Sequence, residues 1–292
     1  MKTYDMCLSC LEGLTKSACK IANLTEEQTQ KILRAADDII NNSDRKYPPI
    51  APAREIFKHI ISISGNPDPY AKIKKESNSI CAEIYPMLKE RLARSEKPME
   101  AAVKMAIAGN VIDFGIFHDH DFSREDIWKK IEETLAGELS GDSIDDFASI
   151  VKDSKKILYV ADNAGECFFD SLLLDLMPKE KITYAVRGGP ILNDAIREDA
   201  SAAGIVERCS VIDTGDNSPG VFLDRCSEEF LEAFKKSDLV IAKGHGNYES
   251  LDDVKDRTCV FITKIKCEVV AKHTGFPLGS NVLMIQSKYD RS

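Results

Sequence analysis

The 292-residue chain has no run of about 18 apolar residues, and its start, where Asp5 and Glu12 stand among the first nineteen residues, has no basic segment leading into an apolar core. Neither a membrane span nor a secretion signal is expected, and a cytoplasmic location follows by default. A positive surplus is missing as well. The 39 basic residues face 48 acidic ones, and the resulting net charge of −9 argues against a nucleic-acid surface and leaves a small ligand as the simpler partner. A disulfide framework is not indicated either, because the nine cysteines are odd in number and scattered through apolar segments and loops, as reduced buried thiols are. The chain does have 43% hydrophobic residues, enough to fill the core of one large or two ordinary domains.

The first half reads as helices. Thr25-Glu26-Glu27-Gln28 has the form of a capping box, and Ile32, Leu33, Ala36, Ile39 and Ile40 follow at helical spacing. Pro52 to Ser64, Asp68 to Arg94 and Pro98 to Ala108 continue the pattern, each opening near a proline, with Pro86 expected to kink the long middle one. Ser123 and Ser143 each precede acids in the manner of further helix starts. The second half alternates short apolar runs at 157–161, 182–186, 209–212, 238–242, 258–263 and 281–286 with helical segments. That alternation predicts βαβ units around a mainly parallel sheet. The expected fold class is α/β, a three-layer domain over about 151–292 preceded by an all-α domain over about 1–150, with the boundary between Leu139 and Lys155, where Ser140-Gly141-Asp142 and a run of charges interrupt the apolar periodicity.

In open parallel sheets the ligand crevice lies beyond the carboxyl ends of the strands. Those ends read Asp162-Asn163, Arg187-Gly188-Gly189-Pro190 with Asn193-Asp194, Asp213-Thr214-Gly215-Asp216, Lys243-Gly244-His245-Gly246-Asn247, and Lys264-Ile265-Lys266. Hard divalent cations take oxygen ligands, and magnesium-like ions keep waters and bind a substrate phosphate too. Asp162, Asn163 and Asp194 could supply such an open site, with lysines and glycine-turn amides neutralising the phosphate. Acids and glycines also serve as plain caps and turns on such loops.

Taken together, Asp162-Asn163-Ala164-Gly165-Glu166, Arg187-Gly188-Gly189-Pro190 with Asn193-Asp194, Lys243 to Glu249, Lys264-Ile265-Lys266-Cys267 and the Gly109-Asn110-Val111-Ile112-Asp113 cluster resemble the damage-control phosphatase family, catalogued as domain of unknown function 89. Cys7-Leu8-Ser9-Cys10 is similar to the start of its cysteine-bearing prokaryotic branch. The resemblance implies a divalent-metal-dependent phosphatase (magnesium, manganese, cobalt or nickel) acting on sugar phosphates or damaged phosphometabolites. By position, Asp162, Asn163 and Asp194 would be metal ligands, and Lys243, Gly244, Asn247 and Lys266 would line the substrate phosphate. Glu166 and Arg187 fall on family-like positions, and Asn110 and Asp113 would bring the helical half into the cleft. Either Asp162 attacks phosphorus or a metal-activated water does. The absence of an Asp-x-Asp-x-Thr signature of the haloacid-dehalogenase kind tilts the choice towards water.

Other features invite weaker expectations. Cys7 and Cys10 have metal-site spacing but supply only two ligands, with Cys267 the candidate third; a plain helix pair explains them as well. His118-Asp119-His120-Asp121 is expected to be a solvated connector, and Asp213, Asp216 and Ser218 a polar turn, with a substrate-hydroxyl contact the minor alternative for Asp216. An S-adenosylmethionine-dependent methyltransferase would suit the sheet, but no G-x-G-x-x-G follows the first strand. A non-catalytic binder of metal and phosphometabolite is the remaining alternative.

Overall fold

A computed structural model describes residues 1–111 and 124–287. Asp113 and the His118–Asp121 run lie outside the described residues.

Six helices come first: α1 (Asp5–Ile21), α2 (Glu26–Asn42), α3 (Ala53–Ser64), α4 (Ala71–Ala93), α5 (Pro98–Val111) and α6 (Arg124–Ala136). The expected capping box is present, since Thr25 accepts from the amide of Gln28 while the Gln28 side chain accepts from the amide of Thr25. This satisfies two donors that a helix start leaves without partners. α4 continues through Pro86 as one helix. The chain then forms β1 (Leu139–Gly141) and α7 (Ile144–Asp153), capped by Ser143, followed by β2 (Ile157–Val160), α8 (Glu166–Leu174), β3 (Ile182–Val186), α9 (Arg197–Ala202) and β4 (Ser210–Asp213). α10 (Glu228–Lys236), β5 (Leu239–Lys243), α11 (Gly244–Leu251), β6 (Thr258–Lys264), α12 (Glu268–Thr274) and β7 (Asn281–Gln286) complete it.

The seven strands lie in the order β1-β7-β6-β5-β2-β3-β4, parallel except where β7 runs against β6. The α/β fold class is as expected, and β1 joins the sheet from ahead of residue 150. Strand pleating divides the core by parity. Ile157, Tyr159, Ile182, Tyr184, Leu239 and Ile241 face a cluster with α4, α5 and α8, while Leu158, Val160, Ala185, Val240 and Ala242 face α10 and α11. Each fully buried Leu, Ile or Phe in these layers contributes about 1.5–3 kcal/mol. A third cluster holds α1, α2, α3 and the start of α4 against Ile191 and Leu192, in the loop after β3.

From β2 the chain winds one way to β3 and β4, and β5 and β6 extend the other way. The switch point therefore falls between β2 and β5, which pair through Val160 and Ala242. A crevice is expected beyond these two carboxyl ends.

Candidate active site

Asp162 and Asn163 leave the end of β2 and are pinned by the segment returning after β3. Asn163 and Asp194 form an isolated antiparallel bridge, the Ala195 amide donates to the Asp162 carbonyl at 2.8 Å, and the Ala164 amide donates to the Asn193 carbonyl at 3.0 Å. Two acids and an amide from separate strand ends are thus locked side by side. Asn163 Nδ2 donates to Asp162 Oδ2 at 3.2 Å and to Glu166 Oε1 at 2.7 Å. With its nitrogen donating to two carboxylates, the Asn163 amide oxygen takes no part in either bond.

Glu166 sits in the first turn of α8, where the helix dipole favours an acid. Asn110, at the end of α5, donates to both Glu166 Oε1, at 2.7 Å, and Asp162 Oδ2. Gly109 favours that reach: a Cβ there would stand 3.2 Å from Phe169 and 3.3 Å from the Glu166 Cα, so a side chain at this position would push α5 and α8 apart by a few tenths of an ångström. Lys266 Nζ donates to the Asn110 carbonyl and closes the rim.

The other side is built by β5 and α11. Gly244 has φ of +75°, and a Cβ on it would fall 1.8 Å from Asp162 Oδ2. Only glycine lets this helix start touch the carboxylate. Arg187 Nε donates to Asp194 Oδ2 at 2.6 Å and its Nη2 to Asn247 Oδ1 at 3.0 Å, while Asn247 ties α11 back through the carbonyls of Ala161 and Lys243. Arg187 Nη1 is buried and has no hydrogen-bond partner among the described residues.

Lys243 departs from its expected place beside the phosphate. It is the last residue of β5 and shares the face of Leu239 and Ile241, so pleating sends its side chain under α8. Its ammonium is 0% exposed and donates to Glu166 Oε2 at 3.0 Å and to Asp170 Oδ1 at 2.7 Å. Asp170, one turn after Glu166, was not foreseen. The available signal was an acid inside the apolar run of α8, a helix whose every residue is buried.

Burial raises Asp162 well above the usual carboxylate range, and the charges of Glu166 and Asp194 push the same way against Arg187 and Lys266. Burial also works against the Lys243 charge, but Asp170 and Glu166 outweigh it and hold the ammonium above the ordinary lysine range. Fully ionised, Asp162, Glu166, Asp170 and Asp194 outnumber Arg187, Lys243 and Lys266 by one. Counted that way, these residues carry one net negative charge.

Asp162, Asn163, Asp194, Glu166, Arg187, Gly244, Asn247, Asn110 and Lys266 lie in one connected cluster, with Lys243 beneath it rather than at its surface. Among the described residues no group of three or more His, Cys, Asp or Glu side chains is arranged to hold a metal ion. That applies to Cys7, Cys10 and Cys267, which lie close enough for the Cys267 charge to raise the other two thiols, although burial raises them most. Cys267 instead caps α12, accepting from the Val270 amide. Asp216, weighed as a turn or a substrate contact, pairs with Arg54 Nε of α3 at 2.8 Å and accepts from the Ser218 amide.

Residues 3–282 match the family model described as the damage-control phosphatase ARMT1-like domain. The chain belongs to this family. It is 33% identical to a damage-control phosphatase of Pyrococcus horikoshii over 97% of this chain and 98% of that one, and 32% identical to a damage-control phosphatase of Archaeoglobus fulgidus over 98% and 99%. An uncharacterized protein of Methanocaldococcus jannaschii is 38% identical over 97% of this chain and 95% of its own. The crystal structure of a DUF89 family protein from Pyrococcus horikoshii superposes with a TM-score of 0.87 at 33% identity, over 97% of this chain and 99% of that one. No helix among the described residues is long and apolar enough to cross a membrane.

Proposed function

We propose that the chain is a phosphatase that hydrolyses phosphate monoesters of small metabolites, such as sugar phosphates or damaged phosphometabolites, with a divalent cation of the magnesium, manganese, cobalt or nickel type held in the crevice. The observation that carries this is the contact of Asp162, held beside Asn163 and Asp194, with the amino end of α11 at the sheet's switch point. The relatives named damage-control phosphatase support the hydrolase class.

The donor set suits a hard cation. Asp162 Oδ2 is occupied by the two amides, whereas Oδ1 accepts no hydrogen bond among the described residues, and the Asn163 amide oxygen is turned away from those carboxylates. Asp162, Asp194 and Asn163 would hold the ion. When bound, it supplies Lewis-acid polarisation of a phosphoryl oxygen and acidifies a water. The substrate phosphate is met by the first amides of α11, whose N-cap Lys243 offers them no side-chain partner. Arg187 presents its unpartnered Nη1 as a further donor, and Lys266 brings an ammonium to the rim, where it offsets charge developing on phosphoryl oxygens. Asn110 orients Asp162, and Lys243 supports Glu166 from below.

The test is phosphate release from a panel of sugar phosphates and an aryl phosphate by metal-stripped protein, with magnesium, manganese, cobalt or nickel restored one at a time. Turnover should require metal and fall by about a thousandfold or more in Asp162→Ala, on the scale of losing a central electrostatic group. A folded wild-type protein that binds manganese yet releases no phosphate from any panel member refutes the proposal.

A further inference from the structure

Behind the crevice lies a second polar group that the proposed chemistry does not use. Asp170 is fully buried among the apolar side chains of α8. Its Oδ1 accepts from Lys243 Nζ at 2.7 Å and from the Tyr159 hydroxyl at 2.7 Å, and its Oδ2 accepts from the Tyr184 hydroxyl at 2.8 Å. The two tyrosine rings stand on paired residues of β2 and β3 and stack with centroids 5.2 Å apart. The carboxylate is thus held in one orientation from both strands. Well-packed apolar side chains would be no less stable in such a place, so the buried ion pair needs a reason beyond stability.

The contacts lead to that reason. Lys243 passes from Asp170 to Glu166 Oε2; Glu166 Oε1 accepts from Asn163 Nδ2 and Asn110 Nδ2; and both amides donate to Asp162 Oδ2. Every link is a direct hydrogen bond, running from the middle of the sheet to two of the three residues assigned to the cation. We propose that Asp170, acting through Lys243, is a positioning residue for the divalent-cation site. It anchors the ammonium so that Glu166 keeps the Asn163 amide nitrogen, leaving the Asn163 oxygen turned to the ion. It also shares the single Lys243 charge with Glu166, so the triad stays one charge negative and favours a cation in the crevice. If Asp170 is neutralised, Lys243 is drawn wholly onto Glu166 and both effects weaken.

This rests on the proposed cation site, and manganese alone is the probe. In Asp170→Asn, calorimetry below the melting temperature should show manganese binding weakened ten- to a hundredfold, the usual effect of removing an outer partner of a metal ligand. At saturating manganese the KM for substrate should stay within about threefold, since Asp170 touches no substrate. The loss should also fail to add to that of Lys243→Met in the double variant, because both act along one path. A purely structural Asp170 would lower the melting temperature and leave manganese affinity alone. That result, or additive losses, overturns the inference while wild-type manganese binding leaves the cation site standing; wild-type protein that binds no manganese overturns both. If Asp170→Asn does not fold, Tyr184→Phe, which removes one grip on the carboxylate and keeps the stacked ring, should weaken manganese binding at least threefold. Unchanged affinity there overturns it as well.

Discussion

Replacing Gly244 with alanine probes the point where helix and carboxylate touch. The residue has φ of +75°, where an L side chain costs about 1–2 kcal/mol. The new methyl would start 1.8 Å from Asp162 Oδ2 and 2.3 Å from its Cγ, whereas real Cβ contacts do not fall below 3.0 Å. Carboxylate and helix start must therefore separate by more than about 1 Å, and Asp162 cannot swing freely because Asn110 and Asn163 hold the same oxygen. A misplacement of about 1 Å at reacting groups costs roughly a hundredfold in rate. Gly244→Ala should lower metal-dependent kcat/KM by about a hundredfold or more and reduce stability by about 1–3 kcal/mol, read by phosphate release and by denaturant unfolding of the same preparation. A folded variant with kcat/KM within threefold of wild type would show that the contact between α11 and Asp162 does not set the chemistry.

Arg54→Ala removes the ion-pair partner of the buried Asp216 carboxylate, which ties α3 to the loop after β4; since Arg54 is a quarter exposed, a loss of about 1–3 kcal/mol is expected in denaturant unfolding, and an unchanged midpoint counts against the pairing. Glu249 is raised to about 7, chiefly by burial. Its folded value lies above its unfolded one, so the stability it contributes is fully present below about pH 4.5 and is lost as pH rises through about 7. Glu249→Gln should flatten the decline in stability between pH 5 and 8, by no more than about 3 kcal/mol; an unaltered pH profile would sink that assignment.

Strands whose periodicity is long enough to see were legible. β3 and β7 begin and end at the expected residues, and β2, β4, β5 and β6 differ by at most one residue at either end, because a buried parallel strand is written as a continuous apolar run. β1 was not legible, being three residues long with no buried side chain to mark it. At the site, strand ends named the right residues but not where each side chain points. Gly244 and Lys243 are neighbours, yet the bare backbone of Gly244 at the start of α11 meets Asp162 while pleating sends the Lys243 side chain beneath α8. Asp170 is marked in the sequence only as a single acid in an apolar helix, which does not reveal its role, because its partners come from β2, β3 and β5. The pairing of Arg54 with Asp216 spans the helical half and the sheet, and nothing in either segment points to the other.

The charge balance also explains why the crevice draws on so many elements. Among the described residues four carboxylates, on the turn after β2, the loop after β3 and α8, meet three cations, and Arg187 and Lys243 donate to carboxylate partners. A phosphate approaching this surface alone would face one net negative charge, at a place where burial already raises Asp162. A divalent ion reverses the balance to one net positive, after which the amides of α11, Arg187 Nη1 and Lys266 can act on an anion without opposing a carboxylate. Glu166 and Asp170 then have distinct roles. Glu166 fixes the amides around Asp162, and Asp170 keeps the Lys243 charge from cancelling Glu166. For the proposed cation site, the acids of α8 would therefore support occupancy through the hydrogen-bond network, although neither is assigned to the ion.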